Sequence, residues 1–254
     1  MAEAAAELGA RHVPNVEKSE AGVPLFSFAV LEGQRLASND VVAYVNSDII
    51  LFDDFPNAIA SVRKKSWSKW LLVGQRRTVE LEGSLDFANP QDVSAFRQRA
   101  SACAPDSPTA KDYFVFPKGM YPKVPAFVVG RDAYDNWMVG DAVMRGIPVV
   151  DCTPCVVAAH QQHDYNHVIS KEERVNLPDS RRGYALAGQL ANMFGHTDCS
   201  TWVLRGGRLR RRFVLKNTVL NAARLLVRRN PLYWRYEMAR LKGMFFPAGA
   251  GSHD

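Results

Sequence analysis

The stretch Val41-Val42-Ala43-Tyr44-Val45-Asn46-Ser47-Asp48-Ile49-Ile50-Leu51 decides how the rest of the chain is read. Five mostly apolar residues run into a polar triplet. Three aliphatics follow, then Asp53-Asp54-Phe55-Pro56. A short continuous apolar run fits a strand buried on both faces of a parallel sheet. Asn46 and Asp48 then sit where that strand ends. In open α/β sheets, ligands bind outside the carboxyl ends of the strands. A carboxylate and an amide two residues apart can address one hard cation or one ribose.

Outward from this strand, helical and extended patterns alternate. Upstream, residues 2–8 are Ala/Glu-rich and helical, with Gly9 as C-cap. A helix starts at Pro24, with Leu25, Phe28, Ala29 and Leu36 on one face. Downstream, Asp53 or Asp54 can cap a helix over 56–65 with Ala58, Ile59 and Val62 inward. Residues 70–76 read as a second buried strand, and 91–103 as a helix showing Val93, Phe96 and Ala100. Extended segments follow at 112–117 and 126–131. Asp132 can cap a helix over 133–145. Two further strands lie at 148–151 and 156–160. Residues 171–183 read as charged loop, 184–193 as a short helix, and everything from Thr201 onward as basic and helical. Strands alternating with helices over 24–160 argue for an α/β sheet with helices on both faces. An excess of strands in the second half argues for a mixed sheet.

The totals narrow the class. With 254 residues, 47% of them hydrophobic, the chain can bury one large core or two small ones. No apolar run reaches the roughly 20 residues needed to span a bilayer, and no basic-then-apolar leader opens the sequence. Four cysteines do not make a disulfide scaffold, so a cytoplasmic setting is expected. The net charge of +6 is unevenly placed. Residues 205–242 hold twelve Lys/Arg and one acid, Glu237, a balance of +11 that leaves −5 elsewhere. The basic character therefore belongs to the C-terminal part and says little about the ligand of the core.

Three polar constellations end strands or begin helices: Asn46-Ser47-Asp48, then Arg131 to Asn136 with Trp137, then His160 to His167. Taken singly, each has an ordinary structural explanation. An Asn-x-Asp is a common turn or cap. An acid in a first helical turn, such as Asp135, answers the helix dipole. A histidine at a strand end is commonly a satisfied core residue, although His163 three residues on adds weight to a metal reading. Trp137 fits helix core as well as it fits a sugar platform.

The order of the three is more specific. Tyr44-Val45-Asn46-Ser47-Asp48-Ile49, Asp112-Tyr113-Phe114-Val115-Phe116, Gly130-Arg131 with Asp135-Asn136-Trp137, and His160-Gln161 with His163-Asp164-Tyr165 together resemble family 2-like glycosyltransferases of the GT-A fold, over residues 8 to 204. The resemblance implies a GT-A-like mixed sheet flanked by helices, with the triplet at the family's acid motif. Asp48 would ligate Mn²⁺ or Mg²⁺ on a nucleotide-sugar diphosphate, and Asn46 would bond the ribose or a metal-bound water. Arg131 would contact phosphate, and Asp135 would be the base of an inverting transfer. Asn136 and Trp137 would meet the acceptor, and His160, with His163 beside it, would be the late metal ligand. It also implies a leading strand–helix–strand unit that the Ala/Glu helix and Val13-Pro14 do not match. The expected fold is thus an N-terminally truncated Rossmann-like half carrying basic C-terminal helices.

Residues 1–200 are therefore expected to form the transferase-like domain, 201–246 a basic amphipathic appendage and 247–254 a disordered tail. Leu215, Val219, Ala222 and Leu226 form a stripe at helical spacing, bordered by Arg212, Lys216, Arg224 and Arg228. Such a segment suits packing on the domain or the inner face of a membrane, and with it a carbohydrate or lipid-linked acceptor. No nucleic-acid reading module accompanies the charge. Cys152-Thr153-Pro154-Cys155 lies between strands rather than at a helix N-terminus, which argues against redox use. Two alternatives stay open: a degenerate GT-A domain that binds without turnover, and a nucleotidyltransferase.

Overall fold

In the computed structural model, residues 2–81, 83–162, 171–188 and 197–212 are described, with 235 and 238 singly. The elements in order are helix α1 (Ala2–Glu7), α2 (Phe26–Leu36), strand β1 (Val41–Val45), β2 (Ile49–Leu51), α3 (Asp54–Arg63), β3 (Leu71–Val73) and β4 (Arg77–Val79). There follow α4 (Pro90–Ala102), β5 (Tyr113–Pro117), α5 (Tyr134–Met144), β6 (Val149–Asp151), β7 (Ala158–Gln161), α6 (Lys171–Asn176), α7 (Pro178–Ala187), β8 (Trp202–Arg205) and β9 (Arg208–Arg211).

The strands make two sheets. A six-stranded mixed sheet runs β1-β5-β3-β6-β8-β9, and a three-stranded one runs β2-β7-β4. In the larger sheet β3, β6 and β8 are mutually parallel, whereas β1, β5 and β9 pair antiparallel with their neighbours. Three times the chain leaves the large sheet and enters the small one after a brief connector: β1 to β2 through 46–48, β3 to β4 through 74–76, and β6 to β7 through 152–157. These three crossings form a seam between the sheets.

Alternation within the strands builds the layers. In β5, Phe114 and Phe116 join one core with Phe26 and Val30 of α2 and Met138 and Val143 of α5. Tyr113 and Val115 point the other way, onto Ala58 and Val62 of α3, with Leu72, Val150, Trp202 and Leu204. The run 113–116 is apolar throughout because both of its faces are buried. Phe96 and Ala100 of α4 cover the small sheet beside Phe52 and Val79. The mixed sheet flanked by helices thus agrees with the expectation from sequence.

Several local expectations are corrected. The β1 strand is a half-buried edge strand paired antiparallel with β5, not a central parallel one. On α2 the buried face is Phe26, Ser27, Val30 and Gln34. The Gln34 amide donates to the Tyr121 carbonyl at 2.8 Å and accepts from Gly119 N–H at 2.9 Å, so a polar residue occupies a core position that counting apolar side chains misses. Neither Asp53 nor Asp132 caps a helix through its side chain. Asp54 instead pairs with Arg97 at 2.8 Å. Residues 126–131 form no strand and make one bridge, Leu25 to Val128. Residues 171–183, read as loop, fall in α6 and α7, where Pro178 sits in the first turn of α7.

The helical reading from Thr201 also fails over 201–212. Trp202 and Leu204 alternate inward and Gly206-Gly207 makes a two-residue turn, giving the β8–β9 hairpin. The expected helices beyond 212, the tail, and the proposed ligand His163 lie outside the described residues. Among the described residues no helix is long and apolar enough to cross a membrane.

Gly74 permits the second crossing. A Cβ there would stand 1.9 Å from the Tyr113 hydroxyl oxygen and 3.2 Å from the Thr153 amide nitrogen. That buried hydroxyl has no hydrogen-bond partner among the described residues. Gly74→Ala is expected to cost about 1–3 kcal/mol through overpacking. Tyr113→Phe removes the obstructing oxygen but leaves the ring carbon Cζ 2.9 Å from that Cβ, so it should recover only part of the loss. Urea unfolding of the two single variants and the double variant checks the coupling.

Candidate functional site

The seam opens into a cleft of about 500 Å³. Its walls include Asn46 and Asp48 from the first crossing, Arg76 from the second, His160 from β7, residues 109–112 ahead of β5, and residues 130–136 at the start of α5. Each of the three constellations expected from sequence contributes here, the third through His160. Asn46, Asp48, Arg131, Asp135, Asn136 and His160 line one space. Trp137 does not. It is 8% exposed and packs with Tyr121 and Phe127 at ring separations of 6.0 and 5.5 Å. One residue further along a helix turns a side chain by about 100°, which carries Trp137 into the core while Asn136 faces the cleft.

A continuous polar chain ties the triplet to the crossings. The Asn46 side-chain amide donates to Asp112 Oδ1 at 2.7 Å, and its backbone N–H donates to the Asp112 carbonyl at 2.9 Å. Arg76 donates from Nη1 to Asp112 Oδ2 and from Nε to Asp106 Oδ2, both at 3.0 Å. The Thr78 hydroxyl donates to Asp106 Oδ2 at 2.8 Å and lies 3.4 Å from His160 Nδ1. His160 Nε2 is 3.2 Å from Asp48 Oδ2. The path begins at Asn46 and returns to Asp48, with Arg76 at its centre.

This order constrains the protons. The single Thr78 hydroxyl proton is directed at Asp106, so the oxygen meets His160 Nδ1 as an acceptor and Nδ1 is the ring's donor on that side. On the other side of the ring, Nε2 faces Asp48 Oδ2 at 3.2 Å. A histidine oriented through its second nitrogen by a hydroxyl and a carboxylate is the arrangement that supports a metal-binding imidazole. Among the described residues no group of three or more His, Cys, Asp or Glu is disposed to hold a metal ion.

Lys111 and Arg76, missed from sequence, join the expected Arg131 in lining the cleft. Lys111 has a side chain with no exposure, and its ammonium donates to the Thr109 carbonyl (3.0 Å), Asn136 Oδ1 (3.0 Å) and Asp135 Oδ2 (3.4 Å). Burial lowers its pKa, opposed mainly by the Asp135 carboxylate. Arg131 presents a buried Nε with no hydrogen-bond partner among the described residues, and its Nη1 makes only a 3.4 Å contact to the Gly130 carbonyl. A guanidinium left in that state is suited to an incoming anion. Burial raises the Asp112 carboxyl, with Arg76 opposing. Burial likewise holds the Tyr134 phenol well above its ordinary range, so it lines the cleft as an O–H. Charged residues that abut two-faced apolar strands, Arg76 after β3 and Lys111-Asp112 before β5, were the available signal for these groups.

The entry to α5 is strained. Ala133, in the N-cap position, has φ of 97°, a conformation costing a non-glycine residue about 1–3 kcal/mol. Helix α7 backs this turn. Gly183 comes so close that a Cβ on it would stand 2.9 Å from the Asp132 carbonyl oxygen.

Cys152 and Cys155 are free thiols within a turn, and Cys155 donates to the Leu204 carbonyl. Burial pushes the Cys152 thiol well above its usual range, away from reactivity. Comparisons of the chain with known protein families, with curated proteins and with solved structures find no match.

Two outcomes follow from the network. Burial would raise the Asp106 carboxyl, but hydrogen bonds from Thr78 and Arg76 outweigh it and hold the carboxyl below its ordinary value. Its contribution to stability is therefore complete above the ordinary aspartate pKa of about 3.9, and it is lost as pH falls through the lowered folded-state value. Arg76→Met is expected to lower stability by about 2–3 kcal/mol at neutral pH and to flatten the acid limb of a Tm-versus-pH curve. Lys111→Met should cost about 3 kcal/mol by stranding Asp135 and Asn136, and Lys111→Met with Asp135→Asn should cost less than Lys111→Met alone. Chemical denaturation checks both.

Proposed function

We propose that the chain is a metal-dependent glycosyltransferase of the GT-A type, moving a sugar from a nucleotide-diphosphate donor to a carbohydrate or lipid-linked acceptor. One observation carries this reading. Three segments far apart in sequence, around Asp48, Asp135 and His160, line a single cleft of about 500 Å³ whose other charged walls are Arg76, Lys111 and Arg131. The volume lies in the range of ligand sites for small molecules.

The residues divide by chemistry. Asp48 and His160 would hold Mn²⁺ or Mg²⁺, and relief of negative charge on a departing diphosphate is what such a cation supplies. Arg131, with its buried Nε aimed at no described partner, would take phosphate oxygens. Asn46, held by Asp112, would bond a ribose hydroxyl. Asp135, 24% exposed at the start of α5, would accept the proton of an acceptor hydroxyl as that oxygen attacks the sugar carbon. Lys111 sits behind Asp135 and keeps one oxygen directed, leaving the other for the acceptor.

A non-catalytic binding domain is the second reading. It is favoured by the engagement of Asp135 with Lys111 and of Asp48 with His160, which leaves both acids already partnered.

A thermal-shift screen of nucleotide-diphosphate sugars with Mn²⁺, repeated with chelator, identifies the donor. With that donor, Asp48→Ala should abolish Mn²⁺-dependent binding by calorimetry; unchanged heats would remove Asp48 from the metal site. Asp135→Asn should bind donor normally and lose transfer by at least a hundredfold, the scale set by a missing general base. Normal turnover in that variant would remove Asp135 as base. Absence of transfer in the parent, with binding intact, would support the second reading.

A further inference from the structure

The β8–β9 hairpin has two unlike faces. Register pairs Trp202 with Arg211, Val203 with Arg210, Leu204 with Leu209, and Arg205 with Arg208. Directly paired residues share a face, and side chains alternate along each strand. Trp202, Leu204 and Leu209 therefore point inward with the core beneath α3. Arg205, Arg208 and Arg210, with Val203 among them, point outward.

All three outward arginines are exposed, and no described acid lies in ion-pair range of any of them. The neighbouring Arg212 shows the contrast. It turns back onto Asp151 and Asp198. Arg205 and Arg208 stand directly opposite one another, where like charges weaken a hairpin. The sequence beyond 212 offers little to neutralise them: two acids, Glu237 and Asp254, against seven Lys/Arg.

We propose that this arginine face is a docking surface for an anionic phospholipid bilayer. Three guanidiniums on one face at this sheet edge match headgroup phosphates, which each can take bidentately. The outward face carries an aliphatic residue, Val203, and no aromatic side chain on which bases could stack, because Trp202 lies inward against Trp67 at 5.0 Å. The following sequence adds aliphatic residues at helical spacing bordered by cations, a pattern that suits a lipid interface. Docking here is separate from the chemistry of the cleft and does not depend on it.

The test is co-sedimentation of the full chain with phosphatidylcholine vesicles, with and without phosphatidylserine, at low and physiological salt. Binding should require phosphatidylserine and weaken with salt. The Arg205→Gln/Arg208→Gln/Arg210→Gln variant should bind on the order of a hundredfold more weakly, given about fivefold per arginine at an anionic surface. Its Tm should be unchanged or higher, since the Arg205–Arg208 repulsion is gone. If the triple variant fails to fold, Arg208→Gln alone should lose about fivefold. Equal binding to neutral vesicles, undiminished binding by the folded variant, or displacement from vesicles by RNA would each overturn the proposal.

Discussion

Arg76 holds the candidate site together. Its guanidinium reaches two carboxylates, Asp106 and Asp112, each at 3.0 Å. Through Asp112 it fixes Asn46, and through Asp106 and Thr78 it orients His160 toward Asp48. The polar groups at the seam would otherwise be costly to enclose between two sheets. One cation thus satisfies both acids beside the first two crossings, while at the third Asp151 is held by Thr153 and Arg212. The crossing points are where the candidate chemistry lies.

A second tie fixes the opposite wall. Lys111, wholly enclosed, latches the loop before β5 to the start of α5 through Asp135 and Asn136. The same turn contains Ala133 at positive φ, and α7 presses on it through Gly183. Strain of this kind persists where surrounding contacts over-determine the backbone, and such places concentrate at functional sites. Here the contacts come from α7 behind and Lys111 in front, and what they hold rigid is the first turn of α5.

Much of this was legible beforehand, for a definable reason. The runs at 41–45, 70–73 and 113–116 are apolar, and a charged or amide residue interrupts each of them abruptly. Burial on one or both faces dictates the run, and the interruption marks where the backbone leaves the sheet. Asn46 and Asp48 stand at such a break and His160 at another strand end, whereas Arg131, Asp135 and Asn136, at the opening of α5, were singled out by the order of the polar constellations and the resemblance it carries. Arg76, Lys111 and Asp112 sit at the same kind of boundary, but a single charge beside a strand does not say which acid it will meet. Trp137 was misplaced because helical neighbours point about 100° apart, and only packing decides which faces the cleft. The α2 face was misjudged since Gln34 is buried with its amide fully bonded, a satisfaction that composition cannot reveal. At β8–β9 the many arginines hid an alternation of inward Trp202 and Leu204 across a Gly-Gly turn.

The sequence by itself determined the alternation of helices and strands over much of 24–160, the two-faced apolar run of β5 and several of the polar breaks that bear on chemistry. These follow from local physics: side-chain period, turn residues and the cost of burying a charge. Tertiary structure alone decided that β1 is an antiparallel edge strand, that one chain is shared between two sheets, and that Arg76 links Asp106 to Asp112. Those outcomes depend on pairings between residues dozens of positions apart. Such pairings are selected by the joint satisfaction of all buried polar groups at once, which no local stretch encodes.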